Sequence, residues 1–330
     1  MHIPRKLEPF TYPPLPAGLK KNHLKLTKQN EKRLREAIRE FYLPDHVPEG
    51  SAEDIEAFRN SPEGRQIIDD HINGIFFARY VGTPWLIKAC HVKNPRVLEI
   101  GCGTGMSSIA GAEQGSIVSA IDVHEPSLRV AQTRGECYGL SIDFRNCNAT
   151  DIAEEFKGVN FDLIVFSASI EHMTHSERMK AMRTSWNMLA KGGVWAIVHT
   201  PNRLWYYDCH TSFLPFFHWL PDNLALEYVK NSPRKLYSQI ANMHDREAAM
   251  EFLIRGGRGI SYHEFALSIV DPEKLNVYSS LDGYIRKNPL RYLAWRLSDK
   301  YRYQKILRKA GPKIHQAFYE ELLSFAIVKD

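Results

Sequence analysis

Val97-Leu-Glu-Ile-Gly-Cys-Gly-Thr-Gly-Met106 is the stretch from which the fold follows. Four residues of strand character, Val97 to Ile100, run into glycines at 101, 103 and 105, and the small-residue segment Ser107 to Ala112 then predicts a helix. A strand that turns tightly into a helix leaves unpaired N–H groups at the helix start, and glycines without Cβ atoms let a ligand lie against the backbone. The turn therefore predicts a docking place for a carboxylate or phosphate, with an ordinary tight turn as the alternative. The glycine spacing separates two ligand classes. A dinucleotide fold needs G-x-G-x-x-G, whose third glycine lets the helix pack on the sheet. Here Met106 follows Gly105, and the pattern is E-x-G-x-G-x-G.

Outward from this turn, strands are expected at 96–100, 117–122, 142–146, 161–167 and 194–199, with helices between them. That alternation implies βαβ crossovers and a parallel sheet. Thr174 with Glu177 has the form of a capping box for the helix carrying Met182, Trp186 and Leu189, and Lys191-Gly-Gly193 is expected to end that helix. Ligands of such sheets sit beyond the carboxyl ends of the strands. Asp122, at the end of the second strand, is placed to accept both ribose hydroxyls of a nucleoside, or else to cap the following helix. Ahead of the sheet, five prolines in residues 1–23 predict a surface arm. Residues 24–92 predict a helical cap with apolar stripes at Leu34, Ile38, Phe41 and Tyr42 and at Ile68, Ile72, Ile75 and Phe76, and a capping box at Ser51 and Asp54.

The chain of 330 residues, 44% hydrophobic and 25% charged, has the composition of a globular protein. A net charge of +5 is too mild to imply a nucleic-acid binder by itself. Five scattered cysteines without a C-x-x-C pair argue against a disulfide framework or structural zinc. Met1-His-Ile-Pro-Arg-Lys6 shows no signal-peptide pattern, and no apolar run reaches membrane-spanning length, so a cytoplasmic location is expected.

Four ordered motifs carry a family resemblance. The E-x-G-x-G-x-G turn at 99–105 resembles motif I of the class I S-adenosylmethionine (SAM) methyltransferases. Phe161-Asp-Leu-Ile-Val-Phe-Ser167 resembles their motif IV, Ile170-Glu-His-Met173 their L-E-H-V turn, and Leu189-Ala-Lys-Gly-Gly193 with the strand after it their L-K-P-G-G segment. Within that class the chain is similar to the type 11/12 subgroup. The resemblance implies an α/β fold: a seven-stranded Rossmann-like class I methyltransferase sheet with an N-terminal helical cap and a C-terminal helical insertion. A sixth strand falls at Leu275–Ser279, an antiparallel seventh at Phe325–Val328, and the insertion at 280–322. The parts are then residues 1–92 as arm and cap, 93–200 as SAM-binding core, and 201–330 as the acceptor side completing the sheet.

On the same resemblance, SAM is the cofactor. Gly101, Cys102, Gly103 and Gly105 form its loop, with the helix start facing the methionine carboxylate. Glu99 lies near the ammonium through backbone and water, Asp122 holds the ribose, Val123, Asn148 and Ala149 enclose the adenine, and Ser167 ends the fourth strand beside the cofactor. Asn148 stands where the family often has Asp, and its carbonyl oxygen still accepts from the adenine amine.

The acceptor side begins at Thr200-Pro-Asn-Arg203. The aromatic stretch Leu204 to Pro221 resembles a bacterial subgroup with T-P-N-R-L-W and D-x-H-T, and most of its rings are expected to be buried packing. Asp208 and His210 are expected to share a hydrogen bond that orients the imidazole as a base. His172, beside Glu171, is the other catalytic candidate, or a structural histidine of the turn. Ubiquinone-pathway O-methyltransferases and small-RNA 2′-O-methyltransferases resemble this turn, but theirs is E-x-x-E-H and binds a divalent metal. Ala168 replaces the first Glu here, so no metal is assigned, and Glu171, His172 and His210 are the set that would hold one. Ten basic residues between Arg286 and Lys313 face one acid, Asp299, as a solvated helix face or a grip for an anionic substrate or surface. The expected activity is methyl transfer to a small-molecule or biosynthetic-intermediate acceptor, at oxygen in preference to nitrogen. An RNA methyltransferase and a non-catalytic SAM-binding partner subunit are the alternatives.

Overall fold

The computed structural model describes residues 23–47, 50–279, 293 and 296–330. The proline-bearing arm and the first part of the expected insertion, with Arg286, Lys287 and Arg291, lie outside the described residues.

Seven strands form one sheet: β1 (Arg96–Ile100), β2 (Ile117–Asp122), β3 (Asp143–Asn146), β4 (Phe161–Ser167), β5 (Leu189–Pro201), β6 (Asn276–Ser279) and β7 (Leu322–Val328). Their order is β3-β2-β1-β4-β5-β7-β6. The first five pair in parallel, while β7 runs antiparallel to both β5 and β6. The direction of winding reverses between β1 and β4, and a crevice opens at the carboxyl ends there.

Both faces of the sheet are buried, which is why its strands read as apolar runs. On one face Leu98, Ile100, Phe166, Trp195 and Phe325 join one core. On the other, Val97, Val118, Ala120, Leu163 and Val165 pack beneath Trp85 and Leu86 of the helix Thr83–Cys90. The N-terminal cap packs Leu34, Ile38 and Leu43 against Val130 and Cys137 of the helix Glu125–Tyr138. The expected capping boxes at Ser51/Asp54 and Thr174/Glu177 both form.

One local expectation is corrected. Lys191-Gly-Gly193 does not end a helix: the helix His175–Met188 stops earlier, with Leu189 already extended, and β5 starts there. Gly192, at φ +74°, lets the strand bend so that its N–H reaches the Lys329 carbonyl, while Lys329 N–H returns to Gly193. Beyond β5 the aromatic stretch is less buried than expected: Trp205 and Phe217 are buried, Tyr206, Tyr207 and Phe213 half-buried, and Phe216 and Trp219 exposed. Trp205 donates its indole N–H to the Tyr319 carbonyl at 3.0 Å, and Phe217 sits in a separate core with Leu214 and Leu226.

Candidate active site

The glycine turn is held by its neighbours. Gly101 and Cys102 donate their N–H groups to the Ile121 carbonyl at 2.8 and 3.0 Å. Gly101 (φ +76°) passes the turn after β4 so closely that a Cβ there would lie 2.3 Å from the Cβ of Ser169. Gly105 (φ +80°) has a different task, because a Cβ there would meet Ala131 at 3.0 Å on the helix Glu125–Tyr138. Asp122 accepts from Gly103 N–H at 2.7 Å through one carboxylate oxygen and from His124 N–H at 2.9 Å through the other. One aspartate thus pins the loop and begins the next helix.

A cavity of about 540 Å³ opens over these strand ends. Of the residues singled out from sequence, Gly101, Gly103, Asp122, Val123, Asn148, Ala149 and His172 line it. Cys102, Gly105 and Ser167 stand outside its lining, as does Glu99. Asn148 accepts from Thr150 N–H at 2.9 Å, leaving its carbonyl oxygen one further lone pair. Met173 of the L-E-H-V-like turn, Glu177 of the capping box, and Ser169 and Arg255, which no motif marked, also line it. Arg255 clasps Glu177 at 2.7 and 3.0 Å and holds its carboxyl down to about 2.

The Glu99 side chain does not enter this cavity. It points to the opposite face of the sheet from Ile100 and accepts from the hydroxyls of Ser107 and Ser108. Burial pushes its carboxyl from the usual 4.5 up to about 7, against the opposing effect of those two hydroxyls. A carboxyl raised by folding stabilises fully below 4.5, and that stability is lost as pH rises through 7. Wild-type stability is therefore expected to fall by on the order of 3 kcal/mol across this window, and Glu99→Gln to lack the slope; urea titrations at several pH values would read it. Parallel curves for the two proteins would disprove the assignment.

The turn after β4 is fixed from behind. Ser169 donates to the Ile100 carbonyl at 2.6 Å. Arg178, buried, pairs with Glu264 and donates to the carbonyls of Ile170, Glu171, Met173 and Arg258. Arg178→Ala strands the Glu264 carboxylate, and a loss of about 3–5 kcal/mol is expected in denaturant unfolding, as for one broken partner of a buried pair. A loss under about 1 kcal/mol, the range of a surface pair, would show that the turn does not need it.

Glu171 is fully buried on this turn; one carboxylate oxygen accepts from the Thr200 hydroxyl at 3.2 Å, and burial raises its pKa. His172 Nδ1 lies 2.7 Å from the Arg255 carbonyl, so it carries the proton and leaves Nε2 with the lone pair. The His172 and His210 rings stand 5.7 Å apart, and His210 Nε2 is 3.9 Å from Glu171 Oε1. Burial, then the neighbouring His172, lowers His210 to about 4.

Asp208 does not orient the His210 imidazole. It accepts from the backbone N–H groups of His210, Thr211 and Ser212 and from the Ser212 hydroxyl, and the imidazole it meets is that of His218, at 3.2 Å. Burial alone would raise its pKa, but His218 and these N–H groups hold it well below the usual carboxylate range. Asp208 is thus a positioning residue that shapes the 208–212 turn.

Residues 97–193 match the family described as methyltransferase domain. This segment is a methyltransferase domain. The domain is similar to the ubiquinone biosynthesis O-methyltransferase of Pseudomonas syringae pv. tomato, 32% identical over 109 residues, or 33% of this chain and 46% of that protein. The enzyme of the same name from Pseudomonas aeruginosa is 35% identical over 89 residues, 27% of this chain and 38% of that protein. The chain thus spans less than half the length of these curated relatives. Among solved structures, the plantazolicin methyltransferase BpumL in complex with SAH aligns over 92% of this chain and 99% of its own, at 14% identity and a TM-score of 0.44. The seven-stranded α/β sheet around the methyltransferase domain has the class I arrangement that the motifs implied. Among the described residues no helix is long and apolar enough to cross a membrane.

Proposed function

We propose that this chain is a SAM-dependent methyltransferase that carries the methyl group to a small-molecule acceptor, at oxygen in preference to nitrogen. One observation carries the proposal: a single cavity has the glycine turn and Asp122 on one side and the imidazole of His172 on the other. Gly101 and Gly103 admit the amino-acid end of the cofactor, Asp122 takes the ribose, and Val123, Asn148 and Ala149 enclose the base. The sulfonium is already a strong methyl donor, so the protein has to align an acceptor lone pair behind the methyl and take up the acceptor's proton. A hydroxyl has to lose that proton for the transfer, whereas a neutral amine presents its lone pair at once. The cluster of Glu171, His172 and His210 therefore suits oxygen.

Residues 93–200 serve as the cofactor-binding core, and 201–330 cover the acceptor. Within the basic stretch, Lys300 pairs with Glu321 and Arg302 with Asp299, which among the described residues leaves Lys305, Arg308, Lys309 and Lys313 to attract an anionic acceptor or surface. Five free cysteines suit a cytoplasmic site. Incubation with labelled SAM and host extract is expected to place label in small products. Label confined to RNA or protein would overturn the substrate class, and absence of calorimetric heat with S-adenosylhomocysteine would overturn the cofactor.

A further inference from the structure

A second cavity, of about 520 Å³, has the chain leaving β5 on one side and the helix Asp299–Ala310 on another. Its size falls within the roughly 300–1,000 Å³ of small-molecule sites. It shares no lining residue with the cofactor cavity. Leu204, Trp219, Leu267 and Leu307 give it apolar walls, and Tyr303, which donates to the Leu204 carbonyl at 2.9 Å, ties the helix to the chain beside it. Trp219 and Leu267 are 47% and 64% exposed, so a contiguous apolar surface is left in water here.

Against these walls stands one permanent charge without a counterion. Arg203 lines the cavity, and among the described residues no carboxylate or carbonyl accepts from its guanidinium. Its backbone is nevertheless fixed: Arg203 N–H donates to the Ile260 carbonyl at 2.8 Å, and a Cβ on Gly259 would lie 2.8 Å from that nitrogen. Glu264, the acid of the lining, does not serve as its partner, because both carboxylate oxygens accept from Arg178, at 3.1 and 3.0 Å. Asp222 belongs to Arg258, at 3.4 Å, and Arg258 donates to the carbonyls of Phe217 and Leu220 as well. Burial lowers the Arg258 guanidinium to about 10; Asp222 opposes this and the nearby charge of Arg203 adds to it. The neighbourhood is thus short of negative charge.

We propose that this cavity binds a small molecule with one carboxylate head and an apolar body. The planar fork of the guanidinium matches a carboxylate with two parallel hydrogen bonds. One arginine, with no second permanent cation in the lining, neutralises a single negative charge, so a carboxylate suits it better than a phosphate dianion. An apolar body without a charge would cover the guanidinium and leave it unpaired, and an anion without an apolar body would leave Leu267 and Trp219 in water. Only the combination answers both walls. The site stands apart from the methyl-transfer cavity, and the inference does not rest on the proposed reaction.

The full chain would be titrated by calorimetry with decanoate and with decyltrimethylammonium, both below the concentration at which they form micelles, and separately with S-adenosylhomocysteine. One decanoate per chain is expected, and no uptake of the cationic analogue. Arg203→Met keeps an apolar stem and removes the charge, and is expected to weaken decanoate about 10–100-fold, the loss of a charge-assisted pair. Leu267→Glu sets a like charge beside the head; Leu267 is exposed, so this variant carries the test if Arg203→Met does not fold. No uptake of decanoate, equal uptake of decyltrimethylammonium, or affinity unchanged in Arg203→Met overturns the inference. S-adenosylhomocysteine is expected to bind wild type and both variants alike. Heat with it but none with decanoate overturns this site alone, whereas heat with decanoate alone supports this site and overturns the cofactor.

Discussion

Asp122→Ala is expected to weaken S-adenosylhomocysteine binding by at least about 100-fold, since two charge-assisted hydrogen bonds at roughly 1.5–3 kcal/mol each are lost with the ribose hydroxyls. A second loss adds to the first, because the same carboxylate holds Gly103 N–H at 2.7 Å and His124 N–H at 2.9 Å. Without it the glycine turn is free to leave the shape that receives the amino-acid end of the cofactor. Asp122→Asn separates the two contributions. Its amide oxygen still accepts from one backbone N–H, so the loop is partly held, but the negative charge toward the ribose is gone. Calorimetry on the three proteins is expected to rank wild type, Asn and Ala in falling affinity with thermal stability little changed. Equal affinities in wild type and Asp122→Ala would remove the ribose from this side chain and the cofactor from this cavity.

That Gly101, Gly103, Asp122, Val123, Asn148 and Ala149 gather at the strand ends was legible in the sequence because these residues are placed locally. Each sits at the end of a strand whose apolar run marks it, and the glycines announce the turn between them. The direction of the Glu99 side chain was legible too. Its neighbours Leu98 and Ile100 face one core, so strand alternation already sends its side chain to the other face.

The surroundings of Glu171, His172 and His210 were harder to read because they are assembled across the chain. Arg178 reaches Glu264, 86 residues on, and the carbonyl that orients His172 belongs to Arg255, 83 residues on. No spacing encodes such pairs. Asp208 shows the same difficulty at short range. An aspartate two residues before a histidine suggested a side-chain pair, yet short Asp side chains bond the backbone two residues on at least as readily. That local turn formed, and the imidazole partner came from His218. Lys191-Gly-Gly193 was read as a helix end because nothing before it in sequence reveals that β7 will pair there.

The pH dependence of turnover tests the acceptor side directly. His210 has to present an unprotonated nitrogen to take a proton, and burial beside His172 lowers it from the usual 6.5 to about 4. Below that value the folded enzyme carries imidazolium and the lone pair is gone; above it the lone pair is present. The rate is therefore expected to be insensitive to this group from about pH 5 upward, with its acid limb near 4. Stability follows the same sign: between 4 and 6.5 the unfolded chain binds a proton that the folded chain does not, so acidification through this window favours unfolding. His210→Ala is expected to lower kcat by about 10²–10⁴-fold, the range for loss of a positioned proton acceptor, while the affinity for S-adenosylhomocysteine is retained because this side chain does not line the cofactor cavity. An acid limb at the ordinary histidine value, 6.5, would show that His210 is solvated during turnover, and unchanged kcat in His210→Ala would take the residue out of the reaction.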